Sequence, residues 1–276
     1  MHQSLYLDRL TVPGFARVEV VETSPSTNAE LVAAVRADPA AWPAPSALVA
    51  EHQTAGRGRA GRTWETPARA GLTVSVVLRP QVPAGTLGWL PLLAGLAVVR
   101  TVSDGAITAS VKWPNDVLLP AHDTVAGLGL YRKVAGILAE IVPNAAEPPA
   151  VVLGIGLNVS QSADELPVPT ATSLALAGHP RPDRTDVLVR MLGEVHAVVR
   201  RWEQADGDAA AAGLLDEYAA VSATLGTRVR VELAGDAGVL EGEAVALDGS
   251  GALVVRQDSG EERVVNAGDV WHLRRG

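Results

Sequence analysis

Nine consecutive residues, Gly56-Arg57-Gly58-Arg59-Ala60-Gly61-Arg62-Thr63-Trp64, place three guanidinium groups on a segment too small-sided to pack as a core element. Each arginine offers a rigid fork of N–H donors suited to phosphate or carboxylate oxygens. The glycines let backbone N–H groups approach an anion and let the loop move. By spacing alone, Gly56-x-Gly58-x-x-Gly61 also fits the dinucleotide-binding fingerprint, but that fingerprint needs a helix straight after the glycines. Thr63-Trp64-Glu65-Thr66-Pro67 follows instead, a poor helix start. What survives is a mobile, anion-gripping loop.

Of 23 basic residues only Lys112 and Lys133 are lysines, so each is expected where a compact ammonium is needed. Lys112 lies in Ser110-Val111-Lys112-Trp113-Pro114-Asn115-Asp116-Val117-Leu118-Leu119, an apolar strand, a turn and a second apolar run. A lysine in such a strand is costly unless it meets an anion or snorkels to water. Its rarity here favours the anion. Tyr131–Ile141 and Ala150–Val159 read as a strand pair joined by the Pro143–Pro149 loop. Their glycines fit either close approach of a ligand or plain packing. The six histidines show no metal spacing, and there is no Gly-x-Ser-x-Gly elbow or Gly-Lys-Ser/Thr phosphate loop. The carboxylates form no convincing acid/base pair. Arg, Lys, Gln, Asn and backbone amides make a site that binds anions and fixes orientation.

These groups need elements to hold them. Val18–Val21 reads as a strand, and Ser26-Thr27-Asn28 opens a helix over Ala29–Ala37, with Thr27 and Glu30 in the form of a capping box. Strand Ala47–Ala50 delivers Gln53 and the arginine loop. Gly71–Leu78 is a β-branched strand stopped by Pro80, and Leu90–Val102 is a buried helix, apolar nearly all round. Leu188, Met191, Leu192, Val195, Val199 and Trp202 mark one face of an amphipathic helix, and Leu214, Leu215, Tyr218 and Val221 mark another. After Gly226 short strands at Arg228–Leu233, Leu240–Leu247, Ala252–Arg256 and Glu262–Val265, separated by Gly-Asp and Asp-Gly turns, predict a small barrel. The 276 residues, 47% hydrophobic, suffice for a main domain over 1–222 and a small one over 223–276.

The net charge of −8 makes the arginine loop a local positive site in a negative field, suited to a small anion more than to a duplex. The absence of cysteine excludes disulfides, thiolate catalysis, thioesters and Cys-ligated zinc. The N-terminus lacks a signal pattern, and Gly88–Val99 is too short for a bilayer span, which takes ~20 residues. A cytoplasmic protein with no membrane partner is expected.

Gly56–Trp64, Lys112-Trp113-Pro114-Asn115-Asp116, Lys133-x-x-Gly136-Ile137-Leu138 and Gly154-Ile155-Gly156-Leu157-Asn158-Val159 occur together in this order, with Ser26-Thr27-Asn28 and Gln53 upstream. Over most of residues 15–270 the chain resembles biotin protein ligase. The resemblance implies an α/β (α+β) fold, a mixed-sheet, class II synthetase-like catalytic domain with a small C-terminal SH3-like β-barrel. It implies that biotin and MgATP give biotinyl-5′-adenylate and pyrophosphate, after which a lysine of a biotin carboxyl carrier domain attacks the adenylate. No protein nucleophile is needed, because positioning and electrostatics carry both steps.

By the same resemblance, Ser26, Thr27, Asn28 and Gln53 hold the biotin head, and backbone from Gly136 through Ile137 to Leu138 lines its slot. Arg57, Arg59 and Arg62 grip carboxylate and phosphates, Arg59 closest to the adenylate, and the loop orders over it. Trp64 covers the adenine, Lys112 stabilises charge between the biotin carboxylate and the α-phosphate, and Asn115 and Asn158 contact the nucleotide. Magnesium comes with the ATP phosphates and no metal is held by protein ligands alone. Only 25 residues precede Ser26, so no operator-binding domain is expected. The partner is the carrier domain of acetyl-CoA carboxylase or a related carboxylase, and a homodimer is left open. The rivals are a lipoate-type ligase, whose Arg-Arg-x-x-Gly-Gly-Gly run is missing, a Gly-Arg nucleic-acid-binding module, opposed by the acidic charge and the single Phe, and an adenylate-holding sensor.

Overall fold

The computed structural model describes residues 2–104, 107–142, 148–179, 182–233, 238–266 and 268–273. Most of the predicted Pro143–Pro149 loop and the Gly-Asp turn at 235–236 lie outside these residues. In chain order the elements are β1 (Arg17–Ser24), α1 (Thr27–Ala37), β2 (Ser46–Gln53), β3 (Gly71–Leu78), α2 (Trp89–Val102), β4 (Ser110–Lys112), β5 (Asp116–Val125), β6 (Gly129–Val142) and β7 (Ala150–Asn158). Then come α3 (Arg184–Glu203), α4 (Leu214–Ala220), β8 (Arg228–Leu233), β9 (Val239–Leu247), β10 (Leu253–Arg256), β11 (Glu262–Val265) and β12 (Gly268–His272).

The first seven strands form one mixed sheet in the order β1-β2-β3-β7-β6-β5-β4, with β1 and β2 parallel and the other neighbours antiparallel. All eight residues of β3 are buried, because helices cover both faces of the sheet. Val74 and Val76 belong to the large core that includes α2 and α3, whereas Val77 meets Leu31 and Val35 of α1. This pattern follows from period-two alternation in a strand covered on both sides. The helix predicted from Leu188 to Trp202 forms as α3, with those apolar residues in the core.

One sequence expectation is corrected. The cap of α1 is Ser26, whose Oγ accepts from Ala29 N, and Thr27 is already helical. The C-terminal strands form a five-stranded antiparallel sheet in the order β11-β10-β9-β8-β12, and among the described residues no ladder joins β11 to β12 to close a barrel. The last strand, β12, had no sequence signal, since Gly268-Asp269-Val270-Trp271-His272 lacks a β-branched run. This sheet is anchored on the larger unit by two indoles: Trp89 Nε1 donates to Gly249 O at 3.1 Å and Trp113 Nε1 to Gly251 O at 3.0 Å.

Candidate active site

One register row across the α1-facing side of the sheet defines the floor of a cleft. Lys112 pairs with Asp116, Asp116 with Gly136, Gly136 with Gly156, and Gly156 with Thr73. A second row runs Leu138, Gly154, Ser75. Elsewhere on this face valines and leucines fill the space beneath α1. Here glycines leave room where α1 begins, and the result is a cleft of about 100 Å³.

At one end of the cleft α1 and β2 bring Ser26, Thr27 and Gln53 together. Gln53 Oε1 accepts from Thr27 N at 2.8 Å and from Thr27 Oγ1 at 3.0 Å. With its oxygen doubly engaged, Gln53 presents its amide N–H groups to a ligand acceptor. Ser75 Oγ, unnoticed in the sequence, lies 2.8 Å from Thr27 Oγ1 and 2.6 Å from Asn28 Oδ1. Asn28 Nδ2 in turn donates to Leu138 O at 3.2 Å and Glu140 Oε2 at 2.8 Å. Asn28 therefore ties α1 to β6, and Gly154 makes room for it, since a Cβ there would sit 2.3 Å from Asn28 Oδ1.

The arginine loop forms a tight hairpin over the cleft. Trp64 N donates to Gly56 O at 2.9 Å and Gly58 N to Arg62 O at 2.7 Å, and the tip passes through left-handed Ala60 and Gly61. Gly56 is required because a Cβ would lie 2.3 Å from Trp64 O. Arg57, Arg59, Arg62 and Trp64 all line the cleft. Arg59 Nη1 donates to Asn115 Oδ1 at 3.3 Å, and burial lowers the pKa of its guanidinium. Asn115 Nδ2 donates to Ile137 O at 2.9 Å, fixing the Trp-Pro-Asn-Asp turn to β6. Arg62 is ion-paired with Asp269 of β12, a cleft residue without sequence warning. Trp64 lies flat on the floor, its indole over Gly156 and Gly136.

Two expected residues are not brought to the cleft. Asn158 is 4% exposed, donates to Thr172 O at 2.9 Å and accepts from Gln161 Nε2 at 2.9 Å, so it braces the segment after β7. Lys112 is 9% exposed and does not line the cleft; burial lowers its pKa, with Asp116 the main opposing charge. The lysine that does line the cleft is Lys133. Its Nζ lies 2.6 Å from Asp116 Oδ1 and 5.7 Å from the centre of the Trp64 ring. A bulge puts it there. Val117 pairs with Ala135 but Leu118 pairs with Lys133, so Val134 is an extra residue that returns Lys133 to the face of Gly136. The sequence signal was the rarity of lysine, which marks Lys133 as strongly as Lys112.

The site is a polar head pocket, a glycine-floored slot and a cluster of cations, in that order. The model of the biotin/lipoate A/B protein ligase family matches residues 20–158, and that of the biotin protein ligase C terminal domain matches 224–273. A biotin–[acetyl-CoA-carboxylase] ligase of Mycobacterium tuberculosis is 43% identical over 266 residues, 95% of this chain and 91% of that one. The protein of the same name from Paracoccus denitrificans is 31% identical over 89% of this chain and 96% of its own. The solved biotin protein ligase of Aquifex aeolicus in complex with biotin and ATP aligns with a TM-score of 0.72 at 26% identity, covering 95% of this chain and all of that one. This chain belongs to the biotin protein ligase family.

Proposed function

We propose that this protein is an ATP-dependent ligase that activates biotin and transfers it to a lysine of a biotin carboxyl carrier domain of acetyl-CoA carboxylase or a related carboxylase. In the first step a carboxylate oxygen of biotin attacks the α-phosphorus of ATP. A mixed anhydride forms, the bond to the β-phosphate breaks, and pyrophosphate leaves. In the second the carrier amine attacks the anhydride carbonyl, the amide forms, AMP leaves and the amine gives up a proton.

The observation that carries this reading is the order of groups along the cleft. Gln53, Thr27 and Ser26 offer donors and acceptors for a ureido head, the Trp64 indole seated on Gly136 and Gly156 walls a slot for an acyl chain, and Lys133, Arg59 and Asn115 stand at its far end. Trp64 forms the wall of that slot in this reading, in place of the adenine cover expected from the sequence, since its indole rests on both floor glycines. Lys133 takes the role first given to Lys112, its ammonium placed to meet negative charge as it builds on the reacting oxygens. Arg57 and Arg62 complete the anion grip. Among the described residues no group of three or more His, Asp or Glu could hold a metal ion. Magnesium enters this reading with the phosphates of ATP.

The C-terminal match is to a domain named for biotin ligases alone, which favours biotin over lipoate. No helix is long and apolar enough to cross a membrane among the described residues, and the reading places the reaction in the cytoplasm. The deciding experiment is transfer of labelled biotin to a carrier domain with and without ATP, beside a lipoate control. ATP-dependent labelling by biotin is expected. Labelling by lipoate but not biotin overturns the substrate, and a folded protein that releases no pyrophosphate with either overturns the reaction.

A further inference from the structure

The register row that floors the cleft begins with three charges in a line. Lys112, directly opposite Asp116 across the β4–β5 ladder, is buried at the edge of the sheet. Asp116 is directly opposite Gly136 on its other side, and its Oδ1 reaches Lys133 Nζ at 2.6 Å. A lysine side chain has a flexible stem and three rotatable donors, so by itself it does not hold a point in space. The Val134 bulge brings Lys133 to the right face but leaves its ammonium to be located by a partner. Gly136 leaves a gap beside it, because a Cβ there would stand 3.1 Å from Lys133 Nζ. Asp116 is that partner, held on a paired strand and behind the cleft wall.

We propose that Asp116 is the positioning residue for Lys133, and that Lys112 supports the Asp116 carboxylate from behind without touching substrate. The inference rests on the reading above that Lys133 meets the reacting oxygens. Two buried or half-buried cations facing one carboxylate leave a net positive charge at the cleft end. Only one of the two, Lys133, lines the space where an anionic substrate would lie. Lys112 is buried, close enough to His272 for its charge to oppose protonation there. The division of labour explains why a chain so poor in lysine keeps both in one corner.

The test is a double-mutant analysis of biotin-dependent pyrophosphate release, with kcat and the biotin KM measured separately. Asp116→Asn is expected to lower kcat by about 10²-fold, the size of effect that a misplaced reacting group produces, while biotin KM holds within about threefold. In a Lys133→Met background the same change is expected to add less than about threefold, because its effect runs through Lys133. Equal losses in both backgrounds would show a general structural role and overturn the proposal. An Asp116→Asn enzyme at the wild-type rate would overturn it too. If leaving Lys112 buried alone unfolds Asp116→Asn, the pair Lys112→Met/Asp116→Asn removes both charges together and carries the same expected loss of kcat. Wild-type protein that releases no biotin-dependent pyrophosphate would instead defeat the parent reading, a result separable from any of these.

Discussion

Gly156 and Trp64 share one space: a Cβ on Gly156 would lie 2.4 Å from Trp64 Cε2, and one on Gly136 would lie 3.2 Å from Trp64 Cζ3. The bare floor of β6 and β7 is thus shaped to the indole. Gly156→Ala is expected to push Trp64 off the floor at a cost of about 1–3 kcal/mol and to raise the biotin KM at least about tenfold. Gly136→Ala should act in the same direction and more weakly. Equilibrium binding of biotin to the two variants checks the order; equal affinity in Gly156→Ala and wild type would show that Trp64 does not wall the slot.

The two lysines part company by substitution. Lys133→Met removes the ammonium that faces the cleft and is expected to cut adenylate formation by about 10²–10³-fold, as loss of a charge-stabilising donor does. Lys112→Met removes a buried charge whose loss leaves Asp116 with its direct partner, so a fall of about tenfold or less is expected. Single-turnover formation of the adenylate from labelled ATP measures both. A larger loss in Lys112→Met than in Lys133→Met would return the central role to Lys112.

The ion pair between Arg62 and Asp269 joins the arginine hairpin to β12. Both side chains are more than a third exposed, so the pair adds at most about 1 kcal/mol to stability. Its effect should appear in the loop. Asp269→Asn is expected to leave the melting temperature within about 2 °C and to speed tryptic cleavage after Arg57, Arg59 or Arg62. Unchanged cleavage would show that the hairpin holds itself.

His272 is held in its neutral form, its pKa pushed down to about 4 mainly by burial and then by the charge of Lys112. Its Nε2 lies 3.2 Å from Thr224 Oγ1, which also accepts from Trp113 N at 3.1 Å. Below about pH 6.5, its ordinary pKa, the unfolded chain takes up a proton that the folded chain refuses until about pH 4. Folding stability therefore falls as pH is lowered through that window and levels off beneath it. The contribution of this one group is on the order of 2–3 kcal/mol. Urea unfolding of wild type and His272→Gln at pH 7 and pH 4.5 isolates it, and parallel losses in the two proteins would exclude His272 as the source.

Much of this architecture was legible in the residues. Gly71–Leu78 is a strand with the bounds its β-branched run gave, and α2 and α3 follow their apolar patterns. The arginine loop, Gln53 and the helix opening at Ser26 also converge as expected. What stayed hidden depends on relations between strands. The choice between Lys112 and Lys133 turns on one bulged residue, Val134, which no local pattern marks. Asn158 looks like a ligand contact until its two partners, Thr172 and Gln161, are seen. Ser75 sits in an ordinary strand and gains meaning only from Thr27 and Asn28 across the sheet. Asp269 belongs to β12, a strand with little intrinsic propensity that exists because β8 pairs with it.

Trp89 and Trp113 both donate their indole protons to carbonyls of one turn, at Gly249 and Gly251. Each indole is almost fully enclosed, at 1% and 2% exposure. A chain cut after residue 222 would lose both hydrogen bonds, each contributing about 0.5–1.5 kcal/mol, and would uncover the apolar surface around the two indoles. The smaller unit is therefore not a detachable module. The two halves should melt as one, and grafting a foreign C-terminal segment onto this ligase would require a turn that presents the same pair of carbonyls.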